Sequence, residues 1–216
     1  MDADFQYVLA CPLDRGALTI NSDGAICKTC KRNFGLSKDK ILDLRAQDFV
    51  SQKTVEFTIP LTTISPDDVL HFGEHSYASN TSLSRQQLRK KYKSKLQEEI
   101  LFHINSLKSQ YGPQMRVLDL ACGEGGNTEY LKTLSIKNII KADYHSDRAD
   151  FLVDAHRLPF VENSFDFIIA TSAIEHFYNP FIAFSEINRV LKDGGALIAS
   201  GSFWESWHGN SCFHFT

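Results

Sequence analysis

"VLDLACGEGGNTEYL", Val117 to Leu131, decides the fold. An apolar run meets an acid at Asp119, passes Gly123, Gly125 and Gly126, and continues as a pattern that reads as a helix start. A buried strand feeding a glycine turn and then a helix puts side-chain-free backbone at the carboxyl edge of a sheet, where a ligand can come close. Outward from this stretch, MRVLDLAC, KNIIKAD, FDFIIATSA and ALIASGSF read as buried strands, with a shorter strand at DFLVDA. Helices fit between them at Asn127 to Leu134 and Pro180 to Leu191.

Strands alternating with helices predict an α/β domain: a Rossmann-like, doubly wound, mostly parallel sheet with helices on both faces. The glycine turn is not a dinucleotide fingerprint, because Thr128 stands where the third glycine belongs. Asp119 lies four residues before Gly123. A buried carboxylate there would repel a pyrophosphate, so the pocket suits a ligand with a cationic head. Asp143 ends the second strand, 20 residues after Gly123, where a carboxylate can accept both hydroxyls of a ribose. A nucleoside that carries a positive charge and no phosphate is S-adenosylmethionine.

Three segments sharpen this reading. "VLDLACGEGG", "DAHRLPFVENSFDFIIATSAIEH" and "EINRVLKDGGALI" resemble, in order and spacing, the glycine motif, the LPF…SFD segment and the RVLKPGG-type turn of class I S-adenosylmethionine-dependent methyltransferases of the type 11 group. The resemblance covers about Arg116 to Phe203. It implies that Asp119, Ala121, Gly123 and Gly125 shape the cofactor pocket and that Asp143, with Tyr144 beside it, holds the ribose. It also implies that Asp154 and Ala155 meet the adenine and that Thr171 closes the pocket at the end of the fourth strand. Two of the acids have a plainer reading, in which Asp119 or Asp154 caps a turn, and Gly126 has one in helix packing.

Methyl transfer is an in-line displacement at a sulfonium carbon, so proximity, alignment and a dry site supply most of the catalysis. A protonated nucleophile would need a base near the ends of strands four and five, where Glu175, His176 and His208 are the candidates. Trp204 and Trp207 flank His208 as pocket walls or as ordinary loop packing. The fourth strand ends in "TSAIEH", without the Asn/Asp-Pro-Pro-aromatic tetrapeptide suited to an exocyclic base amine.

Residues 1–45 form a small zinc-ribbon-like β segment in this reading. "ACPLDRGALTINSDGAICKTCKRNFGL" holds two short Cys-bearing turns around an Asn-Ser-Asp-Gly hairpin signal. Cys27-Lys-Thr-Cys30 is a complete knuckle, whereas Cys11-Pro-Leu-Asp14 has an acid in the fourth cysteine's place. Cys11, Asp14, Cys27 and Cys30 can close a tetrahedral Zn2+ site, since zinc accepts carboxylate oxygen. The alternative is a metal-free hairpin held by Leu13, Leu18, Ile26 and Phe34. Through "CPLD", "CKTC" and "FGLSKDKILDL" the segment resembles the small zinc-ribbon proteins that activate tRNA and translation-factor methyltransferases, with Asp14 departing from their four-cysteine pattern.

Residues 46–112 read as a linker followed by a basic amphipathic helix. Ser84 and Gln87 fit a capping box, and Leu88, Tyr92, Leu96, Ile100, Ile104, Leu107 and Tyr111 recur at helical spacing before Gly112-Pro113. Arg85, Arg89, Lys90, Lys91, Lys93 and Lys95 form either a solvated face or a track for RNA. Residues 113–216 would be the cofactor domain. The antiparallel strands that usually follow ALIAS are missing before "CFHFT". The chain is then a fragment, or the Val55 to Leu61 alternation covers that sheet edge.

Net charge is −3: residues 1–112 hold 15 of 23 basic and 13 of 26 acidic side chains, leaving 8 and 13 beyond. An acidic C-terminal part argues against general nucleic-acid binding. No stretch is long and apolar enough to span a membrane, and the acidic N-terminus is not a signal peptide, so a cytoplasmic location is expected. Three of five cysteines fall within the first 30 residues, which is no disulfide framework. The first functional expectation is methyl transfer to an O or N atom of a small or medium-sized metabolite. RNA methylation and a non-catalytic binding or activating module are the alternatives. The oligomeric state is not legible.

Overall fold

The computed structural model describes residues 3–45 and 85–201. The expected Val55 to Leu61 strand, the Ser84 cap, and Trp204, Trp207 and His208 lie outside the described residues. Nine strands are described: β1 (Leu18–Asn21), β2 (Gly24–Cys27), β3 (Asn33–Phe34), β4 (Leu42–Asp43), β5 (Arg116–Leu120), β6 (Asn138–Asp143), β7 (Phe151–Leu152), β8 (Phe165–Ala170) and β9 (Leu191–Ala199). The helices are α1 (Arg85–Tyr111), α2 (Gly126–Thr133) and α3 (Pro180–Val190).

β1, β2 and β3 make a small antiparallel sheet, and the other six strands make one sheet in the order β4-β7-β6-β5-β8-β9. Each neighbouring pair in that sheet is parallel. The expected strands and both expected helices are therefore present, within a few residues at their ends. Alternation along the strands sends side chains to opposite faces. Val117, Ile139, Phe167 and Ile169 pack with Ile100, Ile104 and Leu107 of α1 and Leu131 of α2. Leu118, Leu120, Ile140, Ile168 and Ala170 pack with Ala183, Ile187 and Val190 of α3. Both faces are covered, and this is why the strands read as nearly continuous apolar runs.

The basic helix packs its C-terminal half: Ile100, Ile104 and Leu107 are buried, whereas Lys90, Lys91, Lys93 and Lys95 are exposed. Lys108 Nζ donates to Leu134 O at 2.6 Å, and Tyr130 Oη donates to Gln97 O at 3.0 Å, tying α1 to α2. Among the described residues, no helix is long and apolar enough to cross a membrane.

Two features depart from the sequence reading. The segment KDGG, expected as a turn before the fifth strand, lies inside β9. The register jumps from Phe165 opposite Leu191 to Phe167 opposite Ala196, so the extra residues bulge around Gly194, whose φ is +77°. Tyr111 Oη donates to Asp193 O at 2.9 Å, and Lys192 pairs with buried Asp166 at 2.7 Å, fixing the bulge. The second departure is β4, a strand from the N-terminal segment. Leu42 pairs with Phe151 and Asp43 with Leu152, so this segment supplies one edge of the large parallel sheet.

The N-terminal segment also shares the main core, in which Leu9, Phe34, Leu42 and Leu44 pack with Leu118, Phe151 and Phe160. Arg15 adds a polar clamp: it donates to Leu158 O at 3.0 Å and pairs with Glu186 of α3 at 2.7 Å. Ile26, one of the four side chains of the metal-free alternative, is 40% exposed, because alternation on β2 turns it away from buried Ala25 and Cys27.

Candidate active site and metal centre

The glycine turn follows β5 at the carboxyl edge of the sheet. Ala121, Gly123 and Gly125 have φ of +56°, +50° and +80°, so the chain turns sharply through left-handed conformations. A Cβ placed on Gly123 or Gly125 would meet no atom within 4 Å. The glycines thus serve the backbone turn and leave open space above it, which is what a closely held ligand requires.

Asp119 is fully buried and accepts hydrogen bonds from Thr128 N at 3.1 Å and Thr128 Oγ1 at 2.6 Å. From β5 its carboxylate faces the N-terminal turn of α2, where an anion is favoured by free N–H groups and the helix dipole. Burial pushes its carboxyl above the usual range, while the Thr128 and Asn127 bonds pull the other way. The turn-capping reading of Asp119 describes its observed contacts. Asn127, which sequence reasoning did not single out, donates to Thr171 Oγ1 at 2.9 Å and reaches Asp119 Oδ1 at 3.5 Å. It joins the ends of β5 and β8 across the turn. The legible signal was a polar side chain directly after Gly126 in the first helical turn.

Asp143 closes β6. One oxygen accepts from the backbone of His145 and Ser146 at 2.8 and 2.9 Å, and the other accepts from Gly123 N at 3.0 Å. The Ser146 hydroxyl donates to Gly123 O at 2.6 Å. Asp143 therefore holds the glycine turn against the next strand's end. A cleft of about 420 Å³ opens here, lined by Gly123, Glu124, Asp143, His145, Ser146 and Asp147, with Lys38 and Asp39 from the N-terminal segment. Tyr144 is partly exposed, with the Arg45 guanidinium 5.1 Å from its ring centroid.

Asp154 and Ala155 are buried after β7. Asp154 Oδ1 caps the short turn Ala155–Arg157, accepting from His156 N at 2.9 Å and contacting His156 Nδ1 at 2.6 Å. His156 Nε2 accepts the Asn179 N–H at 3.1 Å, so the ring proton sits on Nδ1 and is donated to Asp154. Oδ2 of Asp154 takes no hydrogen bond among the described residues. His156 stacks on Tyr178 at 3.5 Å and was another residue missed from sequence. Glu175 is buried and His176 exposed, on the turn Ile174–His176 just beyond β8.

In the N-terminal segment, the four candidate ligands gather: one donor atom from each of Cys11, Asp14, Cys27 and Cys30 lies within 4.8 Å of the others. Cys11 Sγ is 3.8 Å from Cys30 Sγ, and Cys27 Sγ is 3.3 and 3.6 Å from the two Asp14 oxygens. A tetrahedral zinc with bonds of about 2.3 Å to sulfur and about 2.1 Å to oxygen sets S···S edges near ~3.8 Å and S···O edges near ~3.6 Å. The donor set fits that metal. Gly16 is needed beside it, since a Cβ there would lie 2.9 Å from Cys27 Sγ and 2.5 Å from Thr29 Oγ1. The Gly16 N–H holds the exposed Asp14 carboxyl down at about 2, while burial pushes the Cys11 thiol up to about 12.

Parts of the chain are similar to known proteins. The chain is 34% identical over 119 residues to cycloartenol-C-24-methyltransferase 1 of Oryza sativa subsp. japonica, covering 46% of this chain and 34% of that one. It is 30% identical over 99 residues to demethylmenaquinone methyltransferase of Renibacterium salmoninarum, covering 41% of each. The chain thus spans well under two thirds of either relative. Among solved structures, the PH0226 protein of Pyrococcus horikoshii OT3 is 26% identical, with a TM-score of 0.37 over 58% of this chain and 63% of that one. Residues 118–199, which run from the glycine motif to the end of β9, match the family model described as a methyltransferase domain.

Proposed function

We propose that this chain is an S-adenosylmethionine-dependent methyltransferase whose acceptor is a small or medium-sized metabolite. The observation that carries the reading is the open backbone at Gly123 and Gly125 facing the strand-end carboxylate of Asp143. When bound, the cofactor supplies an electrophilic methyl on a sulfonium. The chain's own residues position it. Asp143 accepts the ribose hydroxyls, and Asp154 turns its Oδ2 to the adenine while His156 fixes the carboxylate. Ala121, Tyr144, Ala155 and Thr171 complete the pocket wall. Asp119 works from beneath, holding the turn and α2 in register.

The relatives named for cycloartenol and demethylmenaquinone support a small-molecule acceptor. Should the nucleophile arrive protonated, His176 is the accessible candidate base among the described residues, with buried Glu175 beside it; His208 is the third candidate. In the N-terminal 1–45 segment, Zn2+ held by Cys11, Asp14, Cys27 and Cys30 would be structural, with all four positions taken by protein.

The test is calorimetric titration with S-adenosylhomocysteine of the wild-type chain and Asp143→Ala. Micromolar binding that weakens at least tenfold in the variant is expected. A folded wild-type chain that does not bind would refute the proposal. Salt-independent failure to bind tRNA is expected as well, and tight, salt-sensitive binding would favour RNA as acceptor instead.

A further inference from the structure

The cleft beside Asp143 is not built by residues 113–201 alone. Lys38 and Asp39 line it, from the turn that joins β3 to β4. That turn is firmly made: Ser37 N donates to Ile41 O at 2.8 Å, Lys40 N to Ser37 O at 2.9 Å, and the Ser37 hydroxyl accepts from Asp39 N and Ile41 N at 3.2 Å each. It is also seated on the cofactor loop. Ile41 packs against a small cluster of Cys122, Ala149 and Leu152, and Cys122 directly precedes Gly123. From β4 onward the same segment is hydrogen-bonded to β7.

Two independent features, a shared cleft and a shared apolar contact, thus put the Ser37–Ile41 turn against the ribose side of the glycine motif. The charges in the cleft give the turn a role. Lys38 is joined in the lining by four acids, Asp39, Glu124, Asp143 and Asp147, beside Gly123, His145 and Ser146. An exposed ammonium on a pre-ordered turn, lining the same cleft as Asp143, supplies a hydrogen-bond donor where the Asp143 carboxylate offers only acceptors.

We infer that the Ser37–Ile41 turn is a wall of the cofactor cleft and that Lys38 is a cofactor-binding residue donating to a ribose hydroxyl. This inference rests on the proposed cofactor reading. It makes the N-terminal segment part of the binding site rather than an appendage, and it predicts a contribution from a residue outside the methyltransferase-domain match.

The experiment is calorimetric titration of the full chain with S-adenosylhomocysteine and with its 2′,3′-dideoxyribosyl analogue. The proteins are wild type, Lys38→Ala, Lys38→Arg and Asp143→Ala. Lys38 is exposed on a turn held by Ser37, so its variants are expected to fold with unchanged melting temperature. The expected result is about five- to tenfold weaker S-adenosylhomocysteine binding in Lys38→Ala, near-wild-type binding in Lys38→Arg, and no Lys38→Ala penalty with the dideoxy analogue. Unchanged affinity in Lys38→Ala, with Asp143→Ala strongly weakened, overturns the role of Lys38 and leaves the cofactor reading standing. An equal Lys38→Ala penalty for both ligands overturns the ribose contact. A folded wild-type chain that binds neither ligand overturns the cofactor reading itself.

Discussion

Replacing Asp119 with alanine separates a scaffold role from a ligand contact. The carboxylate is fully buried and satisfies two donors of Thr128, a residue 2% exposed. Hydrogen bonds to a charged acceptor are each worth about 1.5–3 kcal/mol, and the burial that pushes Asp119 upward offsets part of that sum, so the net loss is about 2–4 kcal/mol. For a chain of this length the melting temperature should fall by roughly 4–16 °C. Asp119→Asn keeps one acceptor oxygen and should lose about half as much. A pH series gives the sign: burial raises the folded-state value, so ionisation opposes folding increasingly above the ordinary aspartate value of about 3.9. The advantage of wild type over Asp119→Asn is therefore largest in acid and narrows as pH rises through the folded-state value. Urea unfolding and S-adenosylhomocysteine titration on the same samples are the assay. If Asp119→Ala unfolds within about 0.5 kcal/mol of wild type while cofactor binding is abolished, the scaffold argument is wrong and Asp119 is a direct ligand contact.

Purified chain should carry one zinc by elemental analysis, strong chelation should lower its melting temperature, and Asp14→Cys should retain zinc against higher chelator concentrations; metal-free protein with an unaltered melt would reject the site. Gly125→Ala should cost about 1–2 kcal/mol of stability, because its φ of +80° strains any side chain, and should weaken S-adenosylhomocysteine binding by more than that. Equal stability and unchanged affinity would mean that the turn carries no ligand. Glu186→Gln should destabilise by about 1–2 kcal/mol near neutrality, discounted for the partial exposure of Arg15 and Arg189. Burial alone would raise Glu186, but Arg189 and Arg15 hold it below the ordinary glutamate range. Its contribution is present above about pH 4.3 and lost as pH falls through the lowered value, so the wild-type and Glu186→Gln stability curves should converge in acid.

The glycine-turn side of the fold was legible because its signals are local. The apolar run to Asp119, the positive-φ glycines and the strand-end Asp143 all lie within short, periodic stretches, and the strands they predict are present. β4 was not legible. Two residues carry no periodicity, and their partners Phe151 and Leu152 lie far along the chain. The KDGG bulge was missed for a related reason: glycines signal a turn, yet here backbone pairing resumes beyond them and the strand carries the bulge within itself. His156 was hidden because its meaning depends on Asn179, brought to it by the fold.

The N-terminal segment is bound to the parallel sheet by three kinds of interaction whose strengths do not depend on one another. Leu9, Phe34, Leu42 and Leu44 share the main core, β4 shares the backbone ladder, and Arg15 donates to Leu158 O and pairs with Glu186, which also pairs with Arg189. Together they oppose separation, because exposing Leu42 also breaks the β4–β7 ladder and leaves Glu186 half-paired in a buried setting. The candidate ligand Asp14 directly precedes Arg15, and the Ser37–Ile41 turn directly precedes β4. The cysteine cluster and the turn that lines the cleft are thus each next to a residue that anchors the segment to the sheet, Arg15 through Glu186 and Leu42 through Phe151.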